Sequence, residues 1–152
     1  MKSAYDRALL IAQRAKPDLR LAKSILEGAA TAGDHRATYA LATWYLHGKP
    51  PAVDQNVRRS AELLKVAAES GHPQASFDYA VSLEKGVGVK KNEKLALRYY
   101  LRSALSGDLD AIGAVGRMYY YGLGVAQDRK VAWIWLDQHR SLAQAPQVRS
   151  KK

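Results

Sequence analysis

Cysteine is absent from the 152 residues, which removes disulfides, thiolate metal sites, cysteine nucleophiles and iron–sulfur ligation from consideration. That absence fits a reducing compartment, and a cytoplasmic location is the expectation. No apolar run approaches the roughly 18 residues of a membrane-spanning helix, so membrane insertion is not expected. Near the N-terminus the apolar stretch 8–12 is broken by Gln13 and Arg14, too short for a signal-peptide core. Anions are scarce as well: 14 Asp and Glu face 24 Lys and Arg, a formal charge of +10. Such a balance favours anionic partners or an acidic protein surface. Strand-like alternation is missing too, because no stretch keeps a period of two for long. What remains, 47% apolar and 25% charged residues, is the composition of a folded domain.

Repetition fills the space left by these absences. Glycines closing an Ala-x-x-Gly turn fall at Gly33, Gly71 and Gly107, with intervals of 38 and 36. A second series, Gly48, Gly86 and Gly122, has the same intervals and runs 15 residues behind the first. Ala22, Ser60, Ala96 and Ala132 step by 38, 36 and 36, while Asn56, Asn92 and Asp128 step by 36. A two-residue insertion in Lys49-Pro50-Pro51-Ala52 reconciles every interval. Independent series sharing one offset identify a helical repeat.

Each unit reads as two helices. The first opens at Asp34, at Pro73 or at Asp108, carries apolar residues such as Ala37, Leu41 and Tyr45, and closes at a glycine suited to a left-handed cap. The second opens at Asn56, Asn92 or Asp128 and buries positions spaced i, i+3, i+4 and i+7: Ala22, Ile25, Leu26 and Ala29 in the earliest unit. Residues 3–14 carry no clear first-helix signature, so that helix is either a cap or a degenerate repeat. The expected organisation is all-α, about eight helices in about four units, forming one domain over residues 1–143. The unit boundaries fall at roughly 3–33 (degenerate), 34–71, 72–107 and 108–143, followed by a basic flexible tail at 144–152.

Gly-Val-Gly-Val-Lys-Lys-Asn-Glu-Lys-Leu-Ala (86–96) and Gly-Leu-Gly-Val-Ala-Gln-Asp-Arg-Lys-Val-Ala (122–132) resemble the connector of Sel1-like repeats. The segments 98–107 and 111–122 resemble that family's second and first helices, and the likeness covers roughly residues 18–136. The second unit departs from it where Lys49-Pro50-Pro51-Ala52 replaces Gly-x-Gly. The resemblance implies a right-handed α-solenoid related to tetratricopeptide arrays and used as an adaptor or scaffold, with no enzymatic activity. A bacterial toxin-neutralising or effector-associated adaptor is among the roles it implies.

No catalytic, cofactor or metal-binding residue is assigned. The Gly-x-Gly pieces follow helices and lack the Gly-Lys-Ser/Thr of a phosphate loop. His35, His47, His72 and His139 form no pair at ligand spacing. Asp108 and Asp110 stand at a helix start, where carboxylates favour the helix dipole.

Two surfaces stand out instead. Superposing the first helices at 100° per residue leaves one face turned from the core, and in tetratricopeptide-like stacks the matching positions line a concave groove. Here that face carries Arg36, Tyr39, Leu46, His47, Phe77, Val81, Glu84, Lys85, Arg117, Tyr120 and Tyr121. Apolar and aromatic side chains on an open face mark recognition surfaces, so the expected partner is a segment of another protein. No Asn stands among these positions, which argues against the tetratricopeptide clamp for C-terminal carboxylates. The second surface is a basic stripe of Lys90, Lys91, Lys94, Arg98 and Arg102. With the tail residues Arg149, Lys151 and Lys152 it suggests a rival function, electrostatic binding of nucleic acid or another anionic surface.

Overall fold

In the computed structural model, which describes residues 1–145, polar caps start every helix. α1 (Ala4–Ala12) and α2 (Leu19–Thr31) are capped by Ser3 and Asp18, the former in a reciprocal capping box with Asp6. α3 (His35–His47), α5 (Pro73–Lys85) and α7 (Leu109–Tyr121) are the first helices of the regular units and start at Asp34, His72 and Asp108. α4 (Val57–Glu69), α6 (Glu93–Leu105) and α8 (Arg129–Gln144) follow Asn56, Asn92 and Asp128, the residues the sequence pattern marks as caps. Except at His72, where the imidazole Nδ1 accepts the Ala75 N–H at 3.3 Å, a hydroxyl or carboxamide/carboxylate oxygen satisfies the free N–H groups of the first turn.

Hairpin closure repeats with the sequence period. The backbone N–H of Asn56, Asn92 and Asp128 donates to the carbonyls of Tyr45, Leu83 and Tyr119 at 2.7, 2.8 and 3.0 Å. Units are joined in the same manner, Asp34, His72 and Asp108 donating to Ala29, Ala67 and Ser103 of the preceding helix. Each helix packs on its neighbours in the chain, the arrangement expected of hairpins that cannot bury both faces alone.

Small residues set the spacing between helices. Ala22, Ala96 and Ala132 are wholly buried and Ser60 nearly so, its Oγ donating to the Ala42 carbonyl at 2.8 Å. Between them lie Leu26, Leu64, Tyr100, Ile112 and Met118. The second glycine of each Gly-x-Gly connector lies against the start of the previous unit's second helix. A side chain at Gly88 would overlap the Val57 carbonyl, and one at Gly124 would overlap the backbone of Glu93 and Lys94. In the second unit the insertion instead forms a short bridge between Lys49 and Val53.

The N-terminal segment is helical and packs on α2, so α1 completes a hairpin despite its weak signature. α8 runs to Gln144 with Ala145 as its C-cap. The expected tail at 144–152 therefore falls, beyond Ala145, outside the described residues.

Candidate binding faces

On the face of the first helices, α3 and α5 bound a cleft of about 380 Å³. Five of the sequence-predicted groove residues line it: Tyr39, Leu46 and His47 from α3, Val81 and Lys85 from α5. Leu46 and Val81 stay half-exposed. Tyr39 is less free than its helix position suggests, because its ring stacks on His72 at 4.3 Å and its hydroxyl donates to Asp78 at 2.9 Å. Burial, and after it the neighbouring Asp78 carboxylate, push the Tyr39 phenol well above its ordinary range.

Asp78 also lines this cleft. Burial raises its pKa, and the Tyr39 hydrogen bond opposes that shift without cancelling it. Sequence reasoning missed Asp78. Its signal was present: the corresponding positions of the neighbouring units are Ala40 and Ala114, so a carboxylate stands where the repeat uses a methyl group.

The other predicted groove residues do not join this cleft. Glu84 and Arg117 pair in a bidentate bridge at 2.8 and 3.0 Å, and Glu84 also accepts the Tyr100 hydroxyl at 2.7 Å. Burial drives the Glu84 carboxyl upward, yet hydrogen bonds from Arg117 and Tyr100 outweigh it and leave the group below its ordinary range. These two side chains are engaged in tying α5, α6 and α7 together. Phe77 meets Tyr100 edge-on at 5.5 Å. Arg36 bonds Asp34 at 2.8 Å, with its guanidinium over the Tyr5 ring. Tyr120 and Tyr121 form a separate aromatic patch at the end of α7, with Trp133 edge-on to Tyr120 at 6.4 Å and Arg129 above it. In that patch Tyr121 is 65% exposed and Trp133 49%.

The five residues of the basic stripe are all exposed. Lys91 pairs with Glu93 at 3.0 Å, and Arg102 lies over Tyr99 while donating to the Ala68 carbonyl of α4 at 3.4 Å. The helix α4, whose alternation of Arg58, Glu62, Lys65 and Glu69 reads as a salt-bridged face, forms a different pairing. Glu62 bonds Arg59 at 3.0 Å, and Glu69 accepts the Tyr99 hydroxyl at 3.4 Å. Three-residue spacing and a neighbouring helix win over the i+4 partner. The His35 imidazole meets His72 edge-on at 5.4 Å, and among the described residues its buried Nδ1 has no hydrogen-bond partner. Among the described residues no group of three or more His, Asp or Glu is placed to hold a metal ion.

Helical hairpins of one period, joined by hydrogen bonds that recur with that period, define an α-solenoid repeat protein. The chain belongs to the Sel1 repeat family, whose repeat it matches at residues 35–72, 73–108 and 109–138. The α1–α2 hairpin lies outside these matches. Over 118 residues, 77% of its length, the chain is 30% identical to chitin synthase regulatory factor 2 of Schizosaccharomyces pombe, of which it covers 23%. It is similar to the solved structure of a Sel1 repeat protein from Oxalobacter formigenes, with a TM-score of 0.86 at 25% identity, over 91% of this chain and 57% of that one. A protective antigen of uropathogenic Escherichia coli strains displaying an SLR fold superposes with a TM-score of 0.84 at 21% identity, over 91% of this chain and 30% of that one. The chain thus spans about a quarter of the curated relative and between 30% and 57% of these solved chains. Sel1 repeat proteins are, as a class, protein-interaction modules.

Proposed function

We propose that this chain is a non-enzymatic interaction module that holds a segment of another protein on the face of α3, α5 and α7. The observation that carries the reading is the α3–α5 cleft, where Leu46 and Val81 are left half-exposed beside the Asp78 carboxylate. An apolar side chain of the partner would cover Leu46 and Val81, and a donor beside it would reach Asp78. Tyr121 supplies a further exposed anchor along the same face. The yeast relative's description as a regulatory factor supports a partner-directed role, and a role beside a bacterial toxin or effector is a narrower form of the same reading.

The test begins with partners retained from the native source at high salt, followed by titration calorimetry on one purified partner. Val81→Glu and Tyr121→Ala are expected to weaken binding by about tenfold or more each, with helical content unchanged. Phe77→Ala is a poorer probe, since it also removes the contact with Tyr100. Parent-like affinity in both of the first two variants overturns the assignment of this face.

A further inference from the structure

The basic stripe is one wall of a longer depression on the side of the second helices. Between α4, Tyr79 and the α5–α6 connector lies a cleft of about 460 Å³ lined by Arg58, Glu62, Lys65 and Lys90. Lys65 is shared with a second cleft of about 420 Å³ between α4 and α6, which Arg98 and Arg102 flank. Leu95 and Arg98 in turn border a third of about 160 Å³ beside Lys94. Together these form a trough with Arg58, Lys65, Lys90, Lys94, Arg98 and Arg102 along its walls. Among the described residues none of the six takes part in an ion pair, whereas Glu62 is bound to Arg59 and Glu69 accepts from Tyr99. Ala61, Tyr79, Val89 and Leu95 give the trough an apolar lining.

We propose that this trough binds an extended acidic segment of a protein partner, with carboxylates on the unpaired cations and an aliphatic side chain on the lining. Charge complementarity selects the sign of the ligand, and guanidinium groups at Arg58, Arg98 and Arg102 offer forked contacts to carboxylates. Two features favour a peptide over a nucleic acid. A continuous phosphate backbone would pass Glu62 and Glu69, both in the walls. The rings of Tyr79 and Tyr99 are buried, the latter beneath Arg102, so neither presents an open face for a base to stack on. The site is separate from the α3–α5 cleft and stands or falls independently of it.

Fluorescence anisotropy with the whole chain tests the proposal. The probes are a short labelled peptide of Asp and Glu interspersed with Leu, its counterpart with Lys in place of the acids, and a single-stranded oligonucleotide of matched charge. The acidic peptide is expected to bind, the Lys peptide not, and the oligonucleotide more weakly than the acidic peptide. Lys65→Glu and Arg98→Glu, both at exposed positions outside any described ion pair, are expected to weaken binding by about tenfold or more. Arg14→Glu, the same change of charge at an exposed position between α1 and α2 and away from the trough, serves as control and leaves the affinity unchanged. Three results overturn the proposal: no binding of the acidic peptide, unchanged binding in both trough variants, or tighter binding of the oligonucleotide.

Discussion

Gly33 and Gly88 share the left-handed backbone region, with φ of +91° and +69°, yet differ in what surrounds them. Nothing lies within reach of a side chain at Gly33, so Gly33→Ala carries only the conformational penalty, about 1–2 kcal/mol. At Gly88 the added methyl would also overlap the Val57 carbonyl, and Gly88→Ala is expected to cost about 3 kcal/mol or more. Urea denaturation of the two variants gives the comparison directly, and equal losses would contradict the packing of the connector on α4. Asp78 makes a prediction of opposite sign. Because its pKa is raised on folding, its protonated form favours the folded state. The stability it contributes is present below the ordinary carboxylate range and is lost as pH rises through the higher folded value. At neutral pH, Asp78→Asn is expected to raise the melting midpoint while still accepting the Tyr39 hydroxyl. That advantage should shrink as pH falls toward the carboxylate range, as thermal melts across pH would record.

Among the elements, α6 shows how the repeat depends on small residues. Ala96 is wholly buried where α6 meets its neighbours, and Ala96→Glu would place an unpaired charge there at a cost of several kcal/mol, roughly the whole stability of a small domain. Loss of the cooperative melt and of most helical circular dichroism is the expected outcome. Arg117 tests the link between elements instead. Its pairing with Glu84 joins α7 to α5, and through Tyr100 to α6. Arg117 is 41% exposed and Glu84 only 15%, so solvent screens the pair in part, and Arg117→Ala is expected to cost about 1–2 kcal/mol. The folded Glu84 pKa is depressed, so the stability it contributes is present above the ordinary carboxylate range and lost as pH falls through the folded value. The gap between parent and variant should therefore be widest at neutral pH and close in acid. A pH-independent gap would show that the bridge contributes by packing alone.

For the whole molecule, stability is expected to grade along the stack. In a linear array each hairpin is held by its neighbours, and among the described residues α1 packs mainly on α2 and α8 mainly on α7. α1 buries only Ala8, and α8 only Ala132, while each of the inner helices from α2 to α7 buries at least four residues. Native-state hydrogen exchange should accordingly be fastest in α1 and α8 and slowest in α4 to α6, and uniform protection would contradict nearest-neighbour stabilisation. At the α8 end, Arg140 stands where Ala68 and Ala104 are buried in the inner units. A further hairpin stacked in the same register would bury that guanidinium.

The sequence by itself determined the period, the helix starts of the three regular units and the small-residue seam, because each depends on residues close in the chain or recurring at a fixed step. Asp34, Asn56, Asn92, Asp108 and Asp128 act as caps through local hydrogen bonds that any helix start requires. What the candidate faces present was decided by tertiary structure. Helix geometry placed Tyr39, Glu84 and Arg117 on the open face, but their partners lie 39 and 33 residues away, one repeat on. Stacking of the units therefore settled which of those side chains are engaged and which remain available. The cleft beside Asp78 and the basic trough arise the same way. Each lies between helices of successive units, so its shape follows from how one hairpin seats on the next.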